Sequence, residues 1–246
     1  MNLQASWVIA TKEFKIFRRK KTIIYATILL PLLLAILFPL VVIYAGGKST
    51  EGIPADLLPP LMNAFSFFFV ITAGILPNAI ATYAIVGEKV EKSLEPLLAT
   101  PTTDAEVLLG KSIAAFLPPM IATWVGASIF MVLMDRVTFD KLSYLYYPNL
   151  SIGIILLVLA PLAAILSIEI SVIASSRVSD VRAANSIGAI MFIPFMIIYL
   201  AGEIGLINLN NSNLLIISGA FLIVDVALSY FSVATFHREE ILTKWK

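Results

Sequence analysis

The chain has 246 residues, 59% of them hydrophobic and 13% charged, with a mean hydropathy of +0.94 and a formal net charge of +1. Such usage lies outside that of soluble globular domains and describes an integral membrane protein. The lack of cysteine excludes disulfides, thiolate metal centres and cysteine nucleophiles, and a single histidine, His237, excludes histidine clusters within one chain.

Residues 1–21 precede the first apolar run. Leu3, Trp7, Ala10, Phe14 and Phe17 recur at steps of three and four, with Lys12, Lys15 and Arg19 elsewhere around the helix. This spacing predicts an amphipathic helix that ends in Arg18-Arg19-Lys20-Lys21 and suits an anionic headgroup layer. A signal-peptide reading is set aside because the next apolar run is too long for one. Crossing a hydrocarbon core of roughly 30 Å takes about 20 apolar residues. Six runs qualify: residues 22–45, 61–87, 112–134, 150–175, 183–202 and 213–235. Their continuous apolar character predicts an all-α membrane protein of six transmembrane helices, not a barrel, and one transmembrane domain over residues 1–246. Pro31, Pro39, Pro77, Pro118, Pro119, Pro161 and Pro194 fall in or at the ends of these runs, where they are expected to kink helices or line a cavity. Of the 17 Lys and Arg residues, only Lys48, Arg136 and Lys141 fall on one side; all others share a side with both termini. The excess predicts cytoplasmic termini in a multi-pass protein of the cell membrane.

Between the second and third runs lies a charged island, residues 88–111. Glu88, Lys89, Glu91 and Lys92 open it, and Ser93 offers a cap for a short helix beginning at Leu94, with Pro96 in its first turn. Leu94, Leu97 and Leu98 share one face, and Thr100-Pro101 stops the helix. Thr103-Asp104-Ala105-Glu106 then fits a capping box that opens a new helix. A short helix with a leucine face and acidic rim suits a groove on another protein; the same signals suit a solvated hairpin between two spans.

The island resembles the signature of the type-2 family of ATP-binding-cassette (ABC) permeases. Its core reads Ser93-Leu94-Glu95-Pro96-Leu97-Leu98-Ala99-Thr100-Pro101 and its tail Glu106-Val107-Leu108-Leu109-Gly110-Lys111. Ser93 stands where threonine is usual and Lys92 where glycine is common. The resemblance implies that the first helix is an elbow helix and that the island holds a coupling helix. The chain would then be a permease subunit of an ATP-driven exporter, working as a dimer with a second permease copy, identical or paralogous, and with separate nucleotide-binding subunits. Leu94, Leu97 and Leu98 would supply apolar docking. Glu88, Glu91 and Glu95 would supply charge complementarity or hold the coupling helix against the elbow. Arg177, Ser179, Asp180 and Arg182, in the link between the fourth and fifth spans, resemble a second coupling element; a plain connector fits them almost as well.

Nothing in the sequence predicts catalysis on this chain. Gly47-Lys48-Ser49 and Gly110-Lys111-Ser112 invite a phosphate-loop reading, but the required earlier glycines are Val42 and Ala105. Cofactors on this chain are therefore expected to be none, with ATP and Mg on the partner ATPase, and no nucleic acid is implied. Glu169 and Asp225 fall within spans, where carboxylates by default face a cavity, a partner or the bundle interior. They are candidates for a translocation pathway taking a cation; the plainer reading is a pair of neutral acids bonding helix to helix. They also support a rival, an ion-coupled secondary transporter, and a scaffold subunit of a larger complex is a third reading. Tyr144, Tyr146 and Tyr147 are expected to be interfacial anchors, and Phe65, Phe67, Phe68 and Phe69 to face lipid or a dimer partner rather than cage a substrate.

Overall fold

The computed structural model describes residues 2–48, 53–88, 102–178, 180–190, 192–203 and 206–235. Helices account for nearly all of these, with no strand among the described residues. α1 spans Leu3–Phe17, α2 Lys21–Lys48 and α3 Leu58–Thr82, which continues through a wide π-helical turn, Tyr83–Gly87. α4 spans Asp104–Leu142; α5, Leu150–Ile154, passes through a second π-helical turn, Ile155–Leu159, into α6, Ala160–Arg177. α7 (Val181–Ala189), α8 (Phe192–Glu203) and α9 (Asn211–Thr235) complete the chain. Six helical stretches are long and apolar enough to cross a membrane, beginning at Lys21, Leu58, Asp104, Leu150, Val181 and Asn211.

Hydropathy places these spans well but shortens the third. α4 is one helix of 39 residues, about 58 Å at the rise of an α-helix, so it outreaches a bilayer core. It begins at the capping box, where the Thr103 hydroxyl accepts from the Glu106 N–H and the Glu106 carboxylate accepts from the Thr103 N–H. It ends at Ser143, whose left-handed φ of 61° closes the last turn. The prolines within the spans are carried inside helices rather than breaking them.

In lipid, apolar surface gains little from leaving its surroundings, so helices associate through close packing and polar contacts. α3 sits at the centre, against α2, α4, α6 and α8. Phe38 of α2 stacks on Phe65 at 4.4 Å, and Phe130 of α4 tilts onto Phe69 at 5.4 Å. The phenylalanine patch is thus the core of the subunit, not a lipid face: Phe65, Phe67 and Phe69 are buried, and Phe68 rests on Tyr199. Hydropathy does not distinguish the two, because core and lipid are equally apolar. α2 and α4 cross at Gly126, where a Cβ would meet the Pro31 side chain at 2.7 Å.

The tyrosines divide as well. Tyr144 is exposed, whereas Tyr147 is buried, sharing a hydrogen bond with Ser66 and donating to the Met62 carbonyl. Its backbone N–H, like that of Tyr146, donates to Asp135, which draws the loop after α4 onto the bundle.

Candidate functional site: two buried acidic clusters

The predicted coupling positions Glu91, Ser93, Leu94, Glu95, Pro96, Leu97, Leu98, Thr100 and Pro101 lie outside the described residues. Both edges of that segment are described, and they meet on α1. Lys111, two turns past the start of α4, is 2% exposed. Its ammonium donates to Glu13 of α1 at 3.0 Å, to Glu88 at the end of α3 at 2.5 Å, and to the Ala84 carbonyl at 2.5 Å. That carbonyl lies in the π-helical turn. Lys12 completes the cluster by donating to the other Glu88 oxygen. Burial works to raise the Glu88 carboxyl, yet Lys111 and Lys12 outweigh it and hold Glu88 below its ordinary value. Burial prevails at Glu13, whose carboxyl stands above its ordinary value despite Lys111, with the nearby Glu88 charge adding to the rise.

Glycine allows this meeting. A Cβ on Gly110 would lie 2.6 Å from the Ser6 carbonyl oxygen and 2.8 Å from the Ile9 Cβ, so α1 crosses α4 directly over this residue. The buried stripe of α1 is consequently Ser6, Ile9, Ala10, Glu13 and Phe17. Of the residues at the predicted helical spacing, Ala10 and Phe17 are buried whereas Leu3 and Trp7 point outward, and Glu13 joins the buried stripe. Once buried, an acid between Ala10 and Phe17 calls for a buried cation, which Lys111 supplies. At the α1 start the second Glu106 oxygen accepts from the Asn2 N–H at 2.6 Å.

In the second predicted contact region, Ser179 and the Arg177 side chain lie outside the described residues. Asp180 is the N-cap of α7, accepting from the Arg182 N–H at 3.1 Å, and the Arg182 side chain is exposed.

The second acidic cluster lies between α6 and α9. Asp225, Ser229 and Ser232 share one face of α9 by their spacing of four and three. Ser229 donates to one Glu169 oxygen, joining the helices. The other Glu169 oxygen and both Asp225 oxygens are buried without a hydrogen-bond partner. Glu169 is 8% and Asp225 4% exposed, and neither has a basic partner among the described residues. Glu169, Ser229, Ser232 and Ser112 line a cleft of about 480 Å³ whose other walls are apolar residues of α4 and α6.

Sequence reasoning missed a neutral polar knot. The Asn78 amide donates to the carbonyl and side-chain oxygens of Asn185, both at 3.0 Å, and its own oxygen accepts from Ser171 at 2.7 Å. A Cβ on Gly188 would strike that oxygen at 1.9 Å, so α7 closes on α3 only because residue 188 has none. An asparagine directly after Pro77 in a span was the available signal.

These observations define a helical, polytopic membrane protein with polar chemistry at two buried sites and no group of metal-ligating side chains among the described residues. Residues 7–242 match the ABC-2 family transporter protein family, and the chain belongs to it. It is the permease component of an ABC transporter, a membrane transport component rather than the catalytic one. No curated protein matches the chain.

Proposed function

We propose that the chain forms the translocation pathway of an ATP-driven exporter as a dimer, with ATP and Mg held by separate nucleotide-binding subunits that engage residues 88–101. The reading rests on the family together with one observation: Glu88, at the start of that segment, and Lys111, in the helix that follows it, are joined to each other and to Glu13 of α1 in one buried cluster. A push on the segment would therefore reach α1, α3 and α4 together. Closure of the ATPases would shift the bundle between inward- and outward-facing populations by favouring one arrangement of these helices. Both termini would be cytoplasmic, in the cell membrane, and Asp180 and Arg182 would lie beside the ATPase as a second contact.

Tagged purification in mild detergent tests the reading. A co-purifying ATPase, lost when Leu94, Leu97 and Leu98 become Asp, is the expected result, and Glu91→Ala with Glu95→Ala should lower transport-coupled ATPase while the chain stays in the membrane. Transport that needs no ATPase and collapses with an ion gradient would overturn it in favour of secondary transport. Because the chain has no cysteine, single cysteines at Lys12 and Tyr144 give the orientation directly; labelling of Lys12→Cys from outside would refute cytoplasmic termini.

A further inference from the structure

We infer that the cleft between α4, α6 and α9 binds a lipophilic cation, its apolar body against α4 and α6 and its positive charge at Glu169, with the Asp225 carboxylate behind the lining adding to the negative charge there. The shape comes first. About 480 Å³ is within the range of small-molecule sites, and Leu108, Leu109, Phe116, Leu117 and Ile165 make most of the wall. A wholly apolar wall would select for nothing beyond lipid.

Charge supplies the selection. Glu169 lines the cleft and has one oxygen without a partner, and Asp225, one turn of α9 before Ser229 and outside the lining itself, has two more. Carboxylates inside a membrane persist where they meet a cation, a hydrogen-bond donor or water. Here the only donor to either is Ser229 among the described residues. Lysines meet buried acids elsewhere, at Glu13 and Glu88, whereas among the described residues none reaches Glu169 or Asp225. An anion or a second acidic group would meet repulsion there. A bare inorganic cation would leave the apolar walls unused, whereas a cation with an apolar body uses both. The cleft reaches Ala105 and Leu108 in the first turns of α4, so it lies toward the end of the bundle that carries α1.

As an account of cargo, the inference rests on the exporter reading; as an account of binding, it does not. The probes are tetraphenylphosphonium and tetraphenylborate, which share a shape and differ in sign. Equilibrium dialysis against the full chain in dodecyl maltoside should show tetraphenylphosphonium bound at least about tenfold more tightly than tetraphenylborate. Glu169→Gln with Asp225→Asn should abolish that preference while the chain keeps its elution volume and melting temperature. Leu109→Trp, which narrows the cleft and leaves both acids, should weaken tetraphenylphosphonium. Equal binding of the two ions, or a preference that survives the double variant, overturns the inference. So does displacement of tetraphenylphosphonium by sodium or potassium at low millimolar concentration, which assigns the acids to an inorganic ion. If the ATPase co-purifies but the cation shows no preference, this inference alone fails; if the cation binds and no ATPase is found, the exporter reading alone fails.

Discussion

The cluster around Lys111 and the cluster around Asp225 use the same residue types and treat them oppositely. Glu13 and Glu88 surround a buried lysine that also takes a backbone carbonyl, so each charge has a fixed partner. Ser229 donates to Glu169 alone, and the other Glu169 oxygen and both Asp225 oxygens have no partner. Breaking a buried ion pair costs far more than neutralising an acid that has no partner. The first cluster therefore belongs to the architecture and the second to an occupant from outside the chain.

Substitution at the centre of the first cluster should hurt most. Lys111→Met leaves two carboxylates buried together and should destabilise the protein by about 3–5 kcal/mol, read as thermal unfolding in detergent. Combining it with Glu13→Gln and Glu88→Gln should restore much of that loss. A neutral Lys111→Met would remove the contrast between the clusters. Overpacking the crossing is next: Gly110→Val should cost about 1–3 kcal/mol by driving α1 off α4, detectable as faster proteolysis within α1.

Acidity separates the two carboxylates within the first cluster. A lowered folded value means that Glu88 stabilises the fold at neutral pH and ceases to do so as pH falls through that value, below its ordinary 4.5. A raised folded value means the reverse for Glu13: its contribution is present in acid and lost as pH rises through the folded value, above 4.5. Melting temperatures from pH 4 to pH 8 should therefore show Glu88→Gln losing ground to the wild type as pH rises and Glu13→Gln gaining it. Parallel slopes would mean that Lys111 does not discriminate between them. The smallest effect is expected at the second cluster, where Glu169→Gln and Asp225→Asn should each change stability by no more than about 1 kcal/mol. A large loss there would make that pair architectural too.

Spans and caps were legible because the bilayer demands length and helix ends demand partners. The capping box at Thr103 and Glu106 was visible in four residues and stands as read. Facing was not legible. Phe67 and Leu33 look alike in sequence, yet one is fully buried and the other 45% exposed, since core and lipid favour the same side chains. The buried stripe of α1 was not legible either: helical spacing groups Trp7 and Phe14 with Ala10 and Phe17, while the buried face is set by Glu13 and by the missing side chain at residue 110. Long-range pairing was out of reach for a related reason: Lys111 and Glu13 are 98 residues apart, and only the fold brings them together.

The Glu106 carboxylate that caps α4 through Thr103 also accepts the Asn2 N–H at the head of α1. One side chain is thus a common bearing for two helices that begin 101 positions apart by number, Leu3 and Asp104. Any tilt of the first turn of α4 is handed to α1 without slack, while Trp7 stands on the outward side of α1, 54% exposed. Its indole is accordingly a built-in gauge: emission from Trp7 should follow the posture of α4, and Glu106→Ala should uncouple the needle from the shaft.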